Sequence, residues 1–227
     1  MLEGWTLFAM GFFLGLRHAT DADHVLAVSV LVSREQRLGR STLLGLSWGF
    51  GHLVALCAAG VLVFIYRVAI PPEAERLLEV LVGGMLILLG GSVLVEFARK
   101  GYHFHRHRHG ETVHWHLHRH VHGDSHDHVH PGRLHLRTLL VGMLHGLAGS
   151  APLFLLILAA VNATAAALFY LLAYGAGAML GMAALSLLLG ISFRVSRGNR
   201  RLNEGLRLTA GCGSLALGLF IAITAIR

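Results

Sequence analysis

"RHATDADHV", residues 17–25, sets five ionisable side chains between the apolar runs "GFFLGL" (11–16) and "LAVSVLV" (26–32). What that charge is doing there depends on what surrounds the stretch. The chain has 227 residues, of which 55% are hydrophobic and only 14% charged. That is too apolar for an ordinary soluble domain and points to a membrane protein. Six stretches are long enough to cross a hydrocarbon core of roughly 30 Å, which takes about 20 helical residues. They are 4–32, 41–66, 76–98, 136–162, 164–192 and 205–226. The expected class is an all-α membrane protein with six transmembrane helices.

The N-terminus lacks the basic start and small-residue cleavage site of a signal peptide, so Trp5 to Leu16 reads as part of a retained helix. Cys57 and Cys212 both fall inside spans and say little about compartment. A net charge of +7 raises nucleic acid as a partner, but the basic residues lie in short loops between spans and exclude it as the simpler reading. Loops 33–40, 99–135 and 193–204, with flanks to Arg137 and Arg207, hold 15 of the 19 Lys and Arg. By the positive-inside rule these loops face the cytoplasm and both termini face outward, in a multi-pass protein of the cell (inner) membrane.

The chain repeats itself. "LGLRHATDA" (14–22) aligns with "VGMLHGLAG" (141–149), placing His18 over His145; "LSWGFGH" (46–52) aligns with "LAYGAGA" (172–178); "VGGMLILLG" (82–90) aligns with "AGCGSLALG" (210–218). The matches keep their order at offsets of 126 to 128 residues. Three helices is an odd number, so the second copy enters the membrane from the opposite face, giving an inverted 3+3 repeat. The expected units are 1–98, a first three-helix repeat; 99–135, a His-rich cytoplasmic loop; and 136–227, a second three-helix repeat.

His18 falls halfway along the first span, where charge is costly unless it pairs, meets water or holds an ion. On an unbroken helix, at about 100° per residue, His18, Asp21 and His24 share one face and Asp23 points roughly the other way. Two imidazoles and a carboxylate suit a borderline divalent metal such as nickel, cobalt, copper or zinc, whereas magnesium or calcium prefers oxygen donors. Asp23 joins the stripe only if the helix unwinds; otherwise it orients an imidazole of a neighbouring helix or pairs with Arg17. A buried salt-bridge network without a ligand is the alternative. His52 and His145 are further candidates, the second because the repeat sets it opposite His18 near the midplane. Gly146, Gly149 and Pro152 follow it closely and favour a kinked or broken helix.

The other 13 histidines lie between His103 and His135. His103, His105, His107, His109, His114, His116, His118, His120, His122, His126, His128 and His130 alternate with other residues in a tract with no core-forming face. Disorder is expected, and the composition marks an accessory metal-binding loop.

These residues carry a family resemblance. "RHATDADH" contains the His-x4-Asp-His pattern, as His18 and Asp23-His24, and resembles the signature of the nickel/cobalt permease family. "HGLAGSAPL" (145–153) and the six-span length are similar to that family's branch of urease-accessory or high-affinity nickel-transport proteins. The resemblance implies transport of Ni²⁺ or Co²⁺ as cargo, without a prosthetic group, and gives His18, Asp23 and His24 as motif residues. Longer members carry Leu-Gly-Phe-Asp-Thr-Ala-Thr-Glu in their second half, where residues 144–150 here read LHGLAGS. Uptake is the favoured direction. The rivals are an exporter of the same metals, a membrane-anchored metal sensor or store built on the loop, and an intramembrane metal-dependent hydrolase. The last would want a His-Glu-x-x-His helix; Glu79 and Glu96, inside spans, lie near helix ends and far from the histidines in sequence, so the chain is not expected to be an enzyme.

Overall fold

The first apolar stretch, expected as one helix over 4–32, is two helices in the computed structural model. The structure describes residues 2–35, 37–66, 71–101, 103–109, 112–118, 131–148 and 164–227. Helix α1 covers Leu2–His18 and α2 covers Ala22–Val32. Between them the amides of Thr20 and Asp21 fold back on the carbonyls of Arg17 (2.9 Å) and His18 (3.0 Å). These are the tight bonds with which helices finish. Thr20 Oγ1 adds a 2.6 Å bond to the Arg17 carbonyl. Asp21 then takes extended backbone (φ −63°, ψ 148°), and its carbonyl accepts the first bond of α2 from the Val25 amide at 3.0 Å. A Thr hydroxyl offers the backbone a local partner beside the helix ladder, and Thr20 does so here, whereas the Asp21 side chain makes no capping bond.

A break within a bilayer would be tolerated only where protein or a polar cavity covers the freed backbone. Ala19, at the break, is fully buried. It packs in one cluster with Ala27, Trp48, Leu86, Ala178 and Met182.

Helix α3 covers Leu38–Gly60 and continues through a π-helical turn, Val61–Ile65. Helices α4 (Pro72–Gly101), α5 (Pro131–Ala148), α6 (Thr164–Ser196) and α7 (Arg200–Ile226) follow. Proline opens α4 and α5, where its missing N–H costs nothing. The Asn199 side chain accepts from the Leu202 amide at 3.2 Å and caps α7. Among the described residues, four helices are long and apolar enough to cross a membrane: Leu38–Ile65, Pro72–Arg99, Thr164–Ser196 and Arg200–Ile226. They coincide with four of the expected spans. Ala22–Val32 and Leu136–Ala148 are shorter apolar helices, and the expected span 136–162 lies outside the described residues beyond 148. Leu88, Val195 and Phe220 are among many large apolar side chains left on the surface, as in a helical membrane protein whose outer face meets lipid.

Close backbone approach holds the helices together. Helix α4 packs along α7, α6 against α1 and α3, and α3 against α5. A Cβ on Gly15 would collide with the Tyr174 carbonyl, and one on Gly142 with that of Trp48. Gly177 abuts the Phe12 carbonyl and Gly51 that of Leu139; Gly83 faces the Gly218 carbonyl and Gly90 that of Gly211. Small residues at such crossings let dispersion act over long stretches where no hydrophobic force drives helices together.

One end of the molecule is basic and cross-linked. Arg207 donates twice to the Glu96 carboxylate, at 2.9 and 3.0 Å, and Arg34 lies 3.5 Å from the same carboxylate while bonding Ser92 Oγ at 3.0 Å. Arg197 donates to the Glu35 carbonyl at 2.6 Å, so the end of α6 and the α2–α3 connection share this face. Hydrogen bonds to charged groups contribute about 1.5–3 kcal/mol each when partly desolvated. Glu96→Gln is therefore expected to lower the thermal midpoint in detergent by several degrees. The exposed Arg200–Glu204 pair (2.8 Å) is worth under about 1 kcal/mol, and Arg200→Gln should shift the midpoint little in the same assay.

Within 99–135, where disorder is expected, the described backbone of His103–His109 and Thr112–His118 pairs as an antiparallel ribbon with His103 opposite His118. The positions of His120, His122, His126, His128 and His130 lie outside the described residues.

Candidate metal site

The helix break decides which side chains meet. On an unbroken helix Asp21 joins His18 and His24; with the chain turned at Ala19 to Asp21 that register is lost. Asp21 remains on the surface and pairs with His18, its Oδ2 2.8 Å from His18 Nδ1. Asp23, in the first turn of α2, turns inward instead. Its Oδ1 lies 3.0 Å from His24 Nδ1 and its Oδ2 2.7 Å from His145 Nε2. A carboxylate at a helix N-terminus also faces the positive end of the peptide dipoles, and Oδ1 accepts the His24 amide at 2.9 Å.

Four imidazoles from four helices converge here. His18 comes from α1, His24 from α2, His52 from α3 and His145 from α5. Ring centroids are 4.2 Å apart for His24 and His145, 4.6 Å for His18 and His24, and 5.2 Å for His18 and His52. His24, His52 and His145 are buried and His18 is partly covered. Donor atoms of His18, His24 and His52 lie within 4.8 Å of one another, as do those of Asp23, His24 and His145. Asp21 stands in neither group. The residues singled out in the sequence thus come together, with Asp21 at the margin and Asp23 at the centre.

The carboxylates fix the proton positions. An ionised carboxylate only accepts, so His18 Nδ1, His24 Nδ1 and His145 Nε2 are donors, and in a neutral ring the opposite nitrogen then carries the lone pair. His24 Nε2, His145 Nδ1 and both ring nitrogens of His52 are buried with no hydrogen-bond partner. Buried polar atoms are nearly always satisfied, because leaving one bare costs about 1–3 kcal/mol. A cluster of unpartnered imidazole nitrogens, with a carboxylate behind the rings of His24 and His145, has the donor chemistry of a borderline divalent cation site.

Two aromatic residues frame the cluster that composition alone does not single out. Trp48 lies against His145 at 5.5 Å and His24 at 6.3 Å, and Tyr174 against His18 at 5.6 Å. The signal for them is the internal repeat, which sets "SWGFG" over "AYGAG" and so Trp48 over Tyr174. Glu96 is engaged with Arg207 and Arg34 at the basic face.

No family model and no solved structure matches the chain. It is 33% identical over 214 residues to the urease accessory protein UreH of Bacillus sp. (strain TB-90), across 94% of this chain and 89% of the relative. A helical membrane body, a His-x4-Asp-His stretch and likeness over nearly the full length place the chain in the nickel/cobalt permease family.

Proposed function

We propose that the chain carries Ni²⁺, with Co²⁺ as a second cargo, inward across the cell membrane through the His18, Asp23, His24, His52 and His145 cluster. The observation that carries this reading is the set of buried imidazole nitrogens without protein partners. The relative's designation as a urease accessory protein supports nickel as the cargo. His18, His24, His52 and His145 supply lone pairs to the ion, and Asp23 holds two of the rings. Asp21 holds His18 and attracts the cation from the surface.

Six spans in an inverted 3+3 repeat complete the reading, with both termini outside and the His-rich loop cytoplasmic. The glycine contacts support it. Gly15 against Tyr174 becomes Gly142 against Trp48 when each position is moved to its repeat equivalent, and Gly177 against Phe12 becomes Gly51 against Leu139. The Gly83–Gly218 contact likewise exchanges with Gly90–Gly211. Contacts that swap under one exchange of halves are what a pseudo-two-fold axis produces.

Flux of Ni²⁺ into proteoliposomes, against Co²⁺, Zn²⁺ and Mg²⁺, tests the reading. Saturable Ni²⁺ entry abolished by His18→Ala is expected, and equal flux in that variant overturns the site. Deleting 103–130 is expected to leave flux intact; its loss would favour a sensor or store built on the loop. The loop's thirteen histidines, placed at the cytoplasmic side, also suit capture of surplus metal for export. Growth decides the direction: uptake helps cells under limiting nickel, export under toxic nickel.

A further inference from the structure

Between the histidine cluster and the basic face the helices are closely packed. Trp48, Leu44, Val32, Thr138 and Ser186, from four helices, pack around a gap that has no room for a water molecule. Two of these residues bury a polar atom without a partner, Trp48 at Nε1 and Ser186 at Oγ, and both side chains are fully buried. A hydroxyl and an indole N–H left without partners around one gap, the indole also against the histidine cluster, have an evident use if water reaches them in another conformation.

The placement of the two aromatic side chains gives that conformation a shape. Helix α3 runs away from the basic face and α6 runs toward it, since Arg197 at the end of α6 bonds Glu35 just before α3. Gly49 meets Met179 and Gly175 meets Leu53 along their crossing. Tyr174 is therefore level with position 54 of α3 and lies about 9 Å, more than one and a half helical turns, farther from the basic face than Trp48 does, with His52 between their levels. Each aromatic packs on one histidine of the repeat-related pair, Trp48 on His145 and Tyr174 on His18.

We propose that Trp48 and Tyr174 are the two gates of the carrier, Trp48 closing the passage to the basic face and Tyr174 closing the passage to the opposite face. This rests on the transport reading and on the inverted repeat. When the halves rock, Trp48 withdraws, and the Ser186 and Thr138 hydroxyls line a wetted exit for the ion.

Thiol labelling tests it in the full chain. Ser186→Cys is built on a Cys57→Ser, Cys212→Ser background and exposed to a membrane-impermeant maleimide in vesicles of both orientations. Labelling is expected to be slow at rest from either side and to rise at least severalfold from the basic face under a Ni²⁺ gradient. Trp48→Ala should give fast labelling without nickel, Trp48→Phe should stay slow, and Tyr174→Ala should leave the thiol protected. Trp48→Ala labelling no faster than its parent overturns the gate. So does a Ser186→Cys thiol that is never labelled in vesicles still carrying Ni²⁺. If Trp48→Ala does not fold, the nickel-dependent rise with native Trp48 decides the question. Absence of Ni²⁺ flux in the parent protein instead overturns the transport reading, while the Trp48→Ala and Trp48→Phe contrast is read without nickel and judges the gate separately.

Discussion

Asp23→Asn weakens Ni²⁺ binding by about ten- to a hundredfold, the usual cost of removing a carboxylate that orients metal-binding imidazoles, while Asp21→Asn costs only a few-fold. Both substitutions preserve size and remove the charge, so the contrast isolates position. Asp23 holds His24 at 3.0 Å and His145 at 2.7 Å from one carboxyl group. An amide in its place can accept with its oxygen but presents NH₂ to the second ring, which must then flip its tautomer and lose its inward lone pair. Asp21 reaches only His18 and is exposed to its surroundings. Isothermal titration of the detergent-purified protein, alongside the initial rate of Ni²⁺ flux, measures the difference. Equal losses at both positions would restore the register of an unbroken helix.

Gly51→Leu and Gly177→Leu prevent stable folding, whereas Gly84→Leu is tolerated. A Cβ at Gly51 or Gly177 would overlap a carbonyl of the neighbouring helix, at Leu139 and Phe12 respectively, while nothing lies within 4 Å of a Cβ at Gly84. Overpacking against movable side chains costs about 1–3 kcal/mol; a backbone carbonyl has less room to yield, so the whole helix pair must separate. For a chain of this size each kcal/mol moves the thermal midpoint by about 2–4 °C. Loss of the monodisperse peak in size-exclusion chromatography, or a midpoint lowered by ten degrees or so, is the expected readout for the first two variants. A Gly84→Leu midpoint that falls as far would mean that general helix distortion, not contact, sets the cost.

Apolar runs of about 20 residues made the long helices legible, and α3, α4, α6 and α7 coincide with expected spans because no water is available to satisfy any other backbone arrangement. The candidate residues were legible too, since ionisable groups inside apolar runs are few. Their arrangement was not. Whether His18 and His24 share an unbroken helical face depends on three residues, Ala19 to Asp21, where local hydrogen bonds of Thr20 and Asp21 compete with the helix ladder. That competition is settled by the packing of Trp48, Met182 and Ala178 around the break, which is long-range information. Trp48 and Tyr174 illustrate the same limit: a period of 126 residues relates them in sequence, but only the fold sets their rings against His145 and His18.

A single carboxyl group that holds a ring on α2 and another on α5 is a strut between two elements that belong to different halves of the chain. Hydrogen bonds weaken steeply once the heavy atoms part by more than about 0.5 Å from their preferred distance. Sliding α2 past α5 by even that much releases one imidazole from its orientation. If the cluster holds the ion as proposed above, affinity is tied to shape: the grip would be tight only while the halves are in register, and the stroke that opens a way out would also loosen the hold. On the proposed reading, a carrier built like this would not have to choose between capturing a scarce ion and letting it go.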